Sequence, residues 1–167
     1  MKTILKTSLF ALTALVILFT PGCKKDGEDE IIPNTVIAGN WKLGANSYKV
    51  AYTSKGATSG GGSTGVIAIF ADAILTSPTV NTLNLIFKTT PTAGGTYQLV
   101  GIGASTTDKH VELFAGNSTT VYAYIGTPIN IEVTVTGGKV KVVIPEVSVK
   151  ATTGSSDVKL SATVQEL

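Results

Sequence analysis

Apolar and polar positions alternate strictly from Ile129 to Ile144. Ile131, Val133 and Val135 stand against Glu132, Thr134 and Thr136, then Gly137-Gly138 intervenes, then Val140, Val142 and Ile144 follow. A period of two puts each set on one face of a strand. The Gly-Gly pair allows the positive φ that a two-residue hairpin turn requires. Setting Thr136 opposite Lys139 then brings Val135 to Val140, Val133 to Val142 and Ile131 to Ile144 on a single face. Beyond Pro145 the phase changes, because Val147, Val149 and Ala151 are apolar where Glu146, Ser148 and Lys150 are polar. A bulge, or a strand leaving one sheet for another, produces that flip, and Pro belongs there because it has no N–H for the ladder.

The last segment alternates again, with Val158, Leu160, Ala162 and Val164 on its apolar side. Upstream, Val66–Ala71 is apolar on both faces and suits a central strand, while Leu83, Leu85 and Phe87 alternate in another. Tyr97–Val100, Lys109–Phe114 and Thr119–Ile125 supply further candidates. No segment sustains helical periodicity, and Gly, Pro, Asn and Ser clusters separate the runs. The pattern predicts an all-β domain over residues 36–167, an antiparallel β-sandwich of about nine or ten strands. Uneven strand lengths and the break at Pro145 favour a sandwich over a closed barrel. Ser54–Gly65, rich in Gly, Ser and Thr, reads by composition as a mobile loop.

A different pattern occupies the N-terminus. Two lysines precede an apolar run from Leu9 to Phe19, and Pro21-Gly22-Cys23 follows. This is the layout of a secretory signal, and the run is shorter than the ~20 residues that a spanning helix needs. Cys23, directly after a small residue, resembles the end of a bacterial lipobox, with Thr20 where Leu is usual, as in the relaxed lipoboxes of Bacteroidota. That resemblance implies cleavage after residue 22, a diacylglyceryl group on the Cys23 sulfur, and an anchor of several acyl chains that holds the protein firmly on a membrane. Residues 23–35 then comprise the lipidated Cys and an acidic tether containing Lys24-Lys25-Asp26-Gly27-Glu28-Asp29-Glu30, too polar to order itself. Taken as flexible, residues 24–35 reach roughly 20 Å. Lys followed by acids also resembles the signal that exports lipoproteins of these bacteria to the outer leaflet.

Composition removes several chemistries. Charged residues make up 14% of the 167, and there is one Cys, one His and one Trp. No intrachain disulfide, Cys/His catalytic pair or ordinary zinc cage can be assembled from that inventory. Arg is absent and the formal charge is +2, so the forked contacts and basic footprint of a nucleic-acid binder are missing. The expected mature chain from Cys23 carries eleven Lys against eleven acids.

Five constellations bear on function. Gly61-Gly62-Ser63-Thr64-Gly65 fits G-x-S-x-G, but a nucleophile elbow lies between a strand and a helix, whereas here a Gly/Ser stretch precedes Ser63 and a strand follows. Asp108, His110 and Glu112, spaced by two, share one strand face and read as a solvated face rather than a metal site, since no second His or Cys completes the set. Tyr122 and Tyr124 share the face opposite Val121, Ala123 and Ile125, and are either a stacking platform for sugar or peptide or part of the core. Trp41 and Tyr48 pose the same choice. Asn117-Ser118-Thr119 reads as a turn before a strand.

Gly39-Asn40-Trp41 before Tyr48, Gly95-Thr96-Tyr97, Gly138-Lys139-Val140 and the closing Leu160-Ser161-Ala162-Thr163 together resemble the small uncharacterised β-sandwich lipoproteins of Bacteroidota. The resemblance implies a fold and a place, and carries no active-site residues. The expectation is a lipid-anchored outer-membrane protein on the cell surface, a non-enzymatic binding or interaction module without cofactor or metal. Cys23 is its lipidation site, Tyr122, Tyr124 and Trp41 are its candidate ligand contacts, and a glycan or a protein is its partner. The alternative is a fimbrillin-like assembly subunit that donates its alternating last strand.

Overall fold

The computed structural model describes residues 38–60 and 63–167. The expected signal peptide, Cys23 and the tether lie outside the described residues. Within them the chain forms eleven strands: β1 Gly39–Leu43, β2 Asn46–Lys49, β3 Tyr52–Gly60, β4 Ser63–Ala71, β5 Thr82–Phe87, β6 Gly95–Val100, β7 His110–Gly116, β8 Val121–Ala123, β9 Ile129–Thr136, β10 Lys139–Ala151 and β11 Asp157–Gln165. The all-β expectation holds, with eleven strands in place of nine or ten.

The clearest sequence pattern forms the β9–β10 hairpin. Val140 lies opposite Val135 and Val142 opposite Val133, as the alternation requires. Gly137 and Gly138 both adopt positive φ, 59° and 76°, which suits the tight turn between twisted strands. The ladder ends at Val143 with Glu132, so the third expected pair, Ile131 with Ile144, is not made. Ile131 is instead paired across its other edge with Tyr97 of β6.

The phase flip at Pro145 is a bulge. Between the pairs Ile144–Ala162 and Val147–Leu160, β10 has two residues, Pro145 and Glu146, where β11 has Ser161 alone. Val140, Val142 and Ile144 before it, and Val147, Val149 and Ala151 after it, are all buried. The bulge re-aims the strand without interrupting its inward face. One edge of β10 follows β11, while the other pairs with β9 over Lys139–Val143 and with β8 at Lys150 and Ala151.

That second partner changes the architecture. Strands neighbour one another in the order β2-β1-β11-β10-β9-β6-β7-β5-β4-β3, and β8 bridges β10 to β7. Strands β10, β9, β6, β7 and β8 therefore close into a five-strand ring. Two wings leave it, β11-β1-β2 from β10 and β5-β4-β3 from β7. The strands thus form one connected network with a closed centre, where the sequence pointed to a sandwich and away from a closed barrel. Pairing is antiparallel except between β6 and β7, which run parallel with Leu99 beside Val111. The strand expected over Thr119–Ile125 is shortened to the three residues of β8, and local alternation does not say that it pairs with both β7 and β10.

Ser54–Gly65 is also corrected. It is not a loop: Tyr52–Gly60 and Ser63–Ala71 pair through nine consecutive positions. β4 carries the apolar residues that anchor the hairpin, Ala68, Phe70 and Ala71 being buried, while β3 lies at the sheet edge with Lys55, Gly56 and Ala57 exposed. Small polar residues suit an edge whose one side meets water, so composition there reports exposure and not disorder.

One core cluster draws on both wings and the ring, with Trp41, Phe70, Leu83, Leu85, Phe87, Leu99, Leu113 and Leu160 essentially inaccessible. Each such side chain contributes about 1.5–3 kcal/mol of burial. Tyr97 packs edge-on against Phe87 with centroids 6.0 Å apart, and its hydroxyl donates to the Ala93 carbonyl at 3.1 Å. Where β3 meets the end of β11, Glu166 Oε2 accepts from Lys55 Nζ at 2.9 Å and from the Val140 amide at 2.7 Å. Lys55 also donates to the Gly138 carbonyl, and the Leu167 amide donates to Thr53 Oγ1.

Candidate functional site

The β1–β2 hairpin turns at Gly44-Ala45 and sets Trp41 directly opposite Tyr48. Their rings stack with centroids 4.2 Å apart and planes 23° from parallel. Trp41 is completely buried, with Nε1 unpartnered among the described residues, so it holds Tyr48 by packing alone. Tyr48 is half-buried and forms one wall of a cleft of about 350 Å³.

The opposite wall comes from the turn between β7 and β8. Gly116 has φ 145°, and a Cβ there would meet the Thr120 carbonyl oxygen at 2.1 Å, so this close crossing requires glycine. Asn117 Oδ1 then accepts from the Thr119 amide at 3.0 Å, the Thr119 hydroxyl at 2.7 Å and the Thr120 amide at 3.0 Å. That Asx turn is the turn expected from Asn117-Ser118-Thr119. It delivers Thr120 and Tyr122 to the cleft.

A third side is Asn81. Its backbone and side-chain N–H groups each donate to the Asp72 carboxylate at 2.8 Å, closing the loop between β4 and β5. Asn117 Nδ2 reaches Asn81 Oδ1 only at 3.5 Å, the far limit of a hydrogen bond. Leu43, Asn46, Val158 and the Gly44-Ala45 turn complete the lining, and no charged side chain takes part. Of the hydrogen bonds made by Asp72, Asn81, Asn117 and Thr119, none uses the Tyr48 or Tyr122 hydroxyl. A broader hollow of about 510 Å³ beside Gly95, Thr96, Asn130, Ile131 and Glu132 has no aromatic wall.

The structure separates the three aromatic residues singled out from the sequence. Tyr122 lines the cleft. Trp41 does not face solvent, and supports the cleft from behind. Tyr124 is buried, its hydroxyl donates to the Thr127 carbonyl, and burial raises its pKa. No open Tyr122–Tyr124 platform exists, because Tyr122 packs against the core and Tyr124 is buried in it, while on the opposite side Val121 and Ile125 are exposed and Ala123 is buried. Tyr48 takes the place expected of Tyr124. Asn46, Asn81, Asn117 and Thr120 carried no signal as ligand contacts, since they come from two separate connections and β2.

Asp108, His110 and Glu112 also part company. Only His110 and Glu112 belong to β7, and Asp108 is exposed in the turn before it. His110 Nδ1 accepts the Thr106 amide at 3.2 Å, and the buried Glu112 accepts the Ser105 amide at 3.3 Å. These two side chains tie down the connection from β6. Among the described residues no group of three or more His, Cys, Asp or Glu is placed to hold a metal ion. Ser63 opens β4 within a hairpin, with a strand on either side of the turn and no helix behind it. Against this geometry, no protein-family model matches the chain, and no curated protein or solved structure matches it.

Proposed function

We propose that this chain is a lipid-anchored protein of the outer membrane, displayed on the cell surface, that serves as a non-enzymatic binding module. The observation that carries the reading is the uncharged cleft walled by Tyr48 and Tyr122 and edged by three asparagines. Small-molecule sites combine apolar and aromatic walls with a few placed polar groups, in volumes of about 300–1,000 Å³. The cleft fits that description, and Tyr48, Asn81 and Asn117 are held by neighbours before any ligand arrives. The lipobox-like approach to Cys23 and the charged segment after it support the anchor and the tether. The two wings form the two layers of a sandwich in this proposal, with the ring as their joint.

The assembly-subunit alternative rested on donation of the last strand. β11 is paired along both edges, to β10 and to β1, so giving it up would divide the network in two. The binding module needs no such rearrangement.

Membrane fractionation tests the anchor. Cys23→Ser is expected to move the protein from the membrane to the soluble fraction, and protease added to intact cells is expected to remove the parent domain while sparing a periplasmic control. Unchanged fractionation of Cys23→Ser overturns the anchor, and full protection on intact cells overturns surface display.

A further inference from the structure

We infer that the cleft between the β1–β2 turn and the β7–β8 turn takes an uncharged saccharide, with one sugar ring packed against Tyr122 and Tyr48. The inference rests on the binding-module reading and adds the class of ligand. Its first support is the absence of charge. A phosphate, a uronic acid or a basic side chain would lose hydration on entering and find no counter-charge among the residues that line the site.

The second support is the kind of polarity present. Sugars present hydroxyls that both donate and accept, together with patches of C–H on the ring faces. Side-chain amides offer two donors and an acceptor each, tyrosine hydroxyls do both, and aromatic faces take the C–H patches. Asn46, Asn117, Tyr48 and Tyr122 bring these groups to one cleft. A purely apolar ligand would leave the amides unmet, and an extended peptide would find its natural partner at a sheet edge.

The third support is the division of labour within Asn117. Its Oδ1 is fully engaged by three donors of its own turn, while Nδ2 sits 3.5 Å from Asn81 Oδ1 in a bond at the limit of reach. The side chain is thus fixed in orientation, and its N–H groups can turn to a sugar hydroxyl at little cost. Tyr48 is fixed likewise by the Trp41 stack. Preorganisation of this kind limits the ordering cost of binding.

Trp41 is the single tryptophan of the chain and touches Tyr48 directly, so its emission reports on the cleft. The test uses the full chain in a polyoxyethylene detergent, free of sugar headgroups. The probes are neutral gluco- and manno-hexaoses, a desialylated glycoprotein N-glycan, hexagalacturonate and an uncharged hexapeptide. The expected result is a saturable change in Trp41 emission with at least one neutral saccharide. The hexaoses and the N-glycan distinguish free polysaccharide from glycoprotein as its source. Tyr122→Ala should weaken binding about tenfold, roughly the contribution of one aromatic contact. Asn46→Asp and Asn46→Lys should change affinity in the same direction, because a neutral ligand does not register the sign of the charge.

Opposite responses to those two variants, or binding of hexagalacturonate or the peptide in preference to every neutral sugar, overturn the saccharide assignment. So does a panel in which no neutral sugar binds, or sugar binding indifferent to Tyr122→Ala and both Asn46 variants. Binding of a non-sugar probe that Tyr122→Ala abolishes would leave the binding module standing, and the two readings therefore fail on different results.

Discussion

The two ends of β11 are built from opposite materials. Val158, near its start, lies in the cleft among amides and aromatic rings with no charge. Glu166, just past its end, is buried and bonded to Lys55 and to the Val140 amide, with the Gly137-Gly138 turn and Leu167 gathered around it. One end joins the wings by charge-assisted bonds, and the other keeps its polar groups only partly engaged. A closed end uses its donors and acceptors internally, and an open end presents them. The contrast agrees with the proposal that the open end is the one that meets other molecules.

The largest expected effect comes from removing the support behind the open end. Trp41→Ala should cost about 3–5 kcal/mol of stability, the usual loss for a buried aromatic side chain. Urea unfolding followed by far-ultraviolet circular dichroism measures it, and titration calorimetry should show ligand affinity falling as well, since Tyr48 loses its stacking partner. At the closed end, Glu166→Ala strips the acceptor from a buried amide and from the Lys55 ammonium. It should cost about 2–3 kcal/mol while leaving ligand affinity within about twofold. If Glu166→Ala loosened ligand binding as much as Trp41→Ala did, the division between the ends would be wrong.

The smallest effect separates both ends from the core between them. Burial raises the hydroxyl pKa of Tyr97 and Tyr124, and Asp108 adds to the shift at Tyr97. A raised folded value means that the native state keeps protons which the unfolded chain releases. The stabilisation is therefore complete below about pH 10, the ordinary tyrosine value, and is lost as pH rises from there through the folded values. Urea midpoints should fall between pH 9 and pH 11, in Glu166→Gln as much as in the parent. A double Tyr97→Phe, Tyr124→Phe variant should flatten that slope, and an unchanged slope would put the alkaline loss elsewhere.

Features governed by local periodicity were legible in the sequence. Val133–Val142 and Val135–Val140 followed from a period of two and a two-glycine turn, and the flip at Pro145 marked a bulge because one extra residue reverses every side chain. Features governed by tertiary closure were not. β8 joins the ring through three residues whose pairing with Phe114–Gly116 and Lys150–Ala151 has no counterpart in local pattern. The β3–β4 hairpin was hidden for a different reason, since its Gly, Ser and Thr residues are those of a wet edge and also those of a loop. At the cleft, Tyr122 stood out as an aromatic on an alternating strand. Asn46, Asn81 and Asn117 did not, because turn asparagines are common and only the fold shows that these three surround one space.

Under the anchor proposed above, the Glu166 clamp has a mechanical meaning. The polypeptide enters the described domain at Ala38, whose carbonyl accepts the Gln165 amide at 2.7 Å, so the incoming chain and the clamp occupy the same end of β11. The cleft lies eight residues away along that strand, about 26 Å at strand spacing. A ligand dragging on the cleft and a tether pulling at Ala38 would load β1 and β11 along their length, distributing tension over the five-residue ladder from Gly39–Val164 to Leu43–Leu160. Hydrogen bonds loaded in shear yield together, whereas bonds peeled from one end yield singly. The same strand that separates the two chemistries is thereby placed to carry the tension between them.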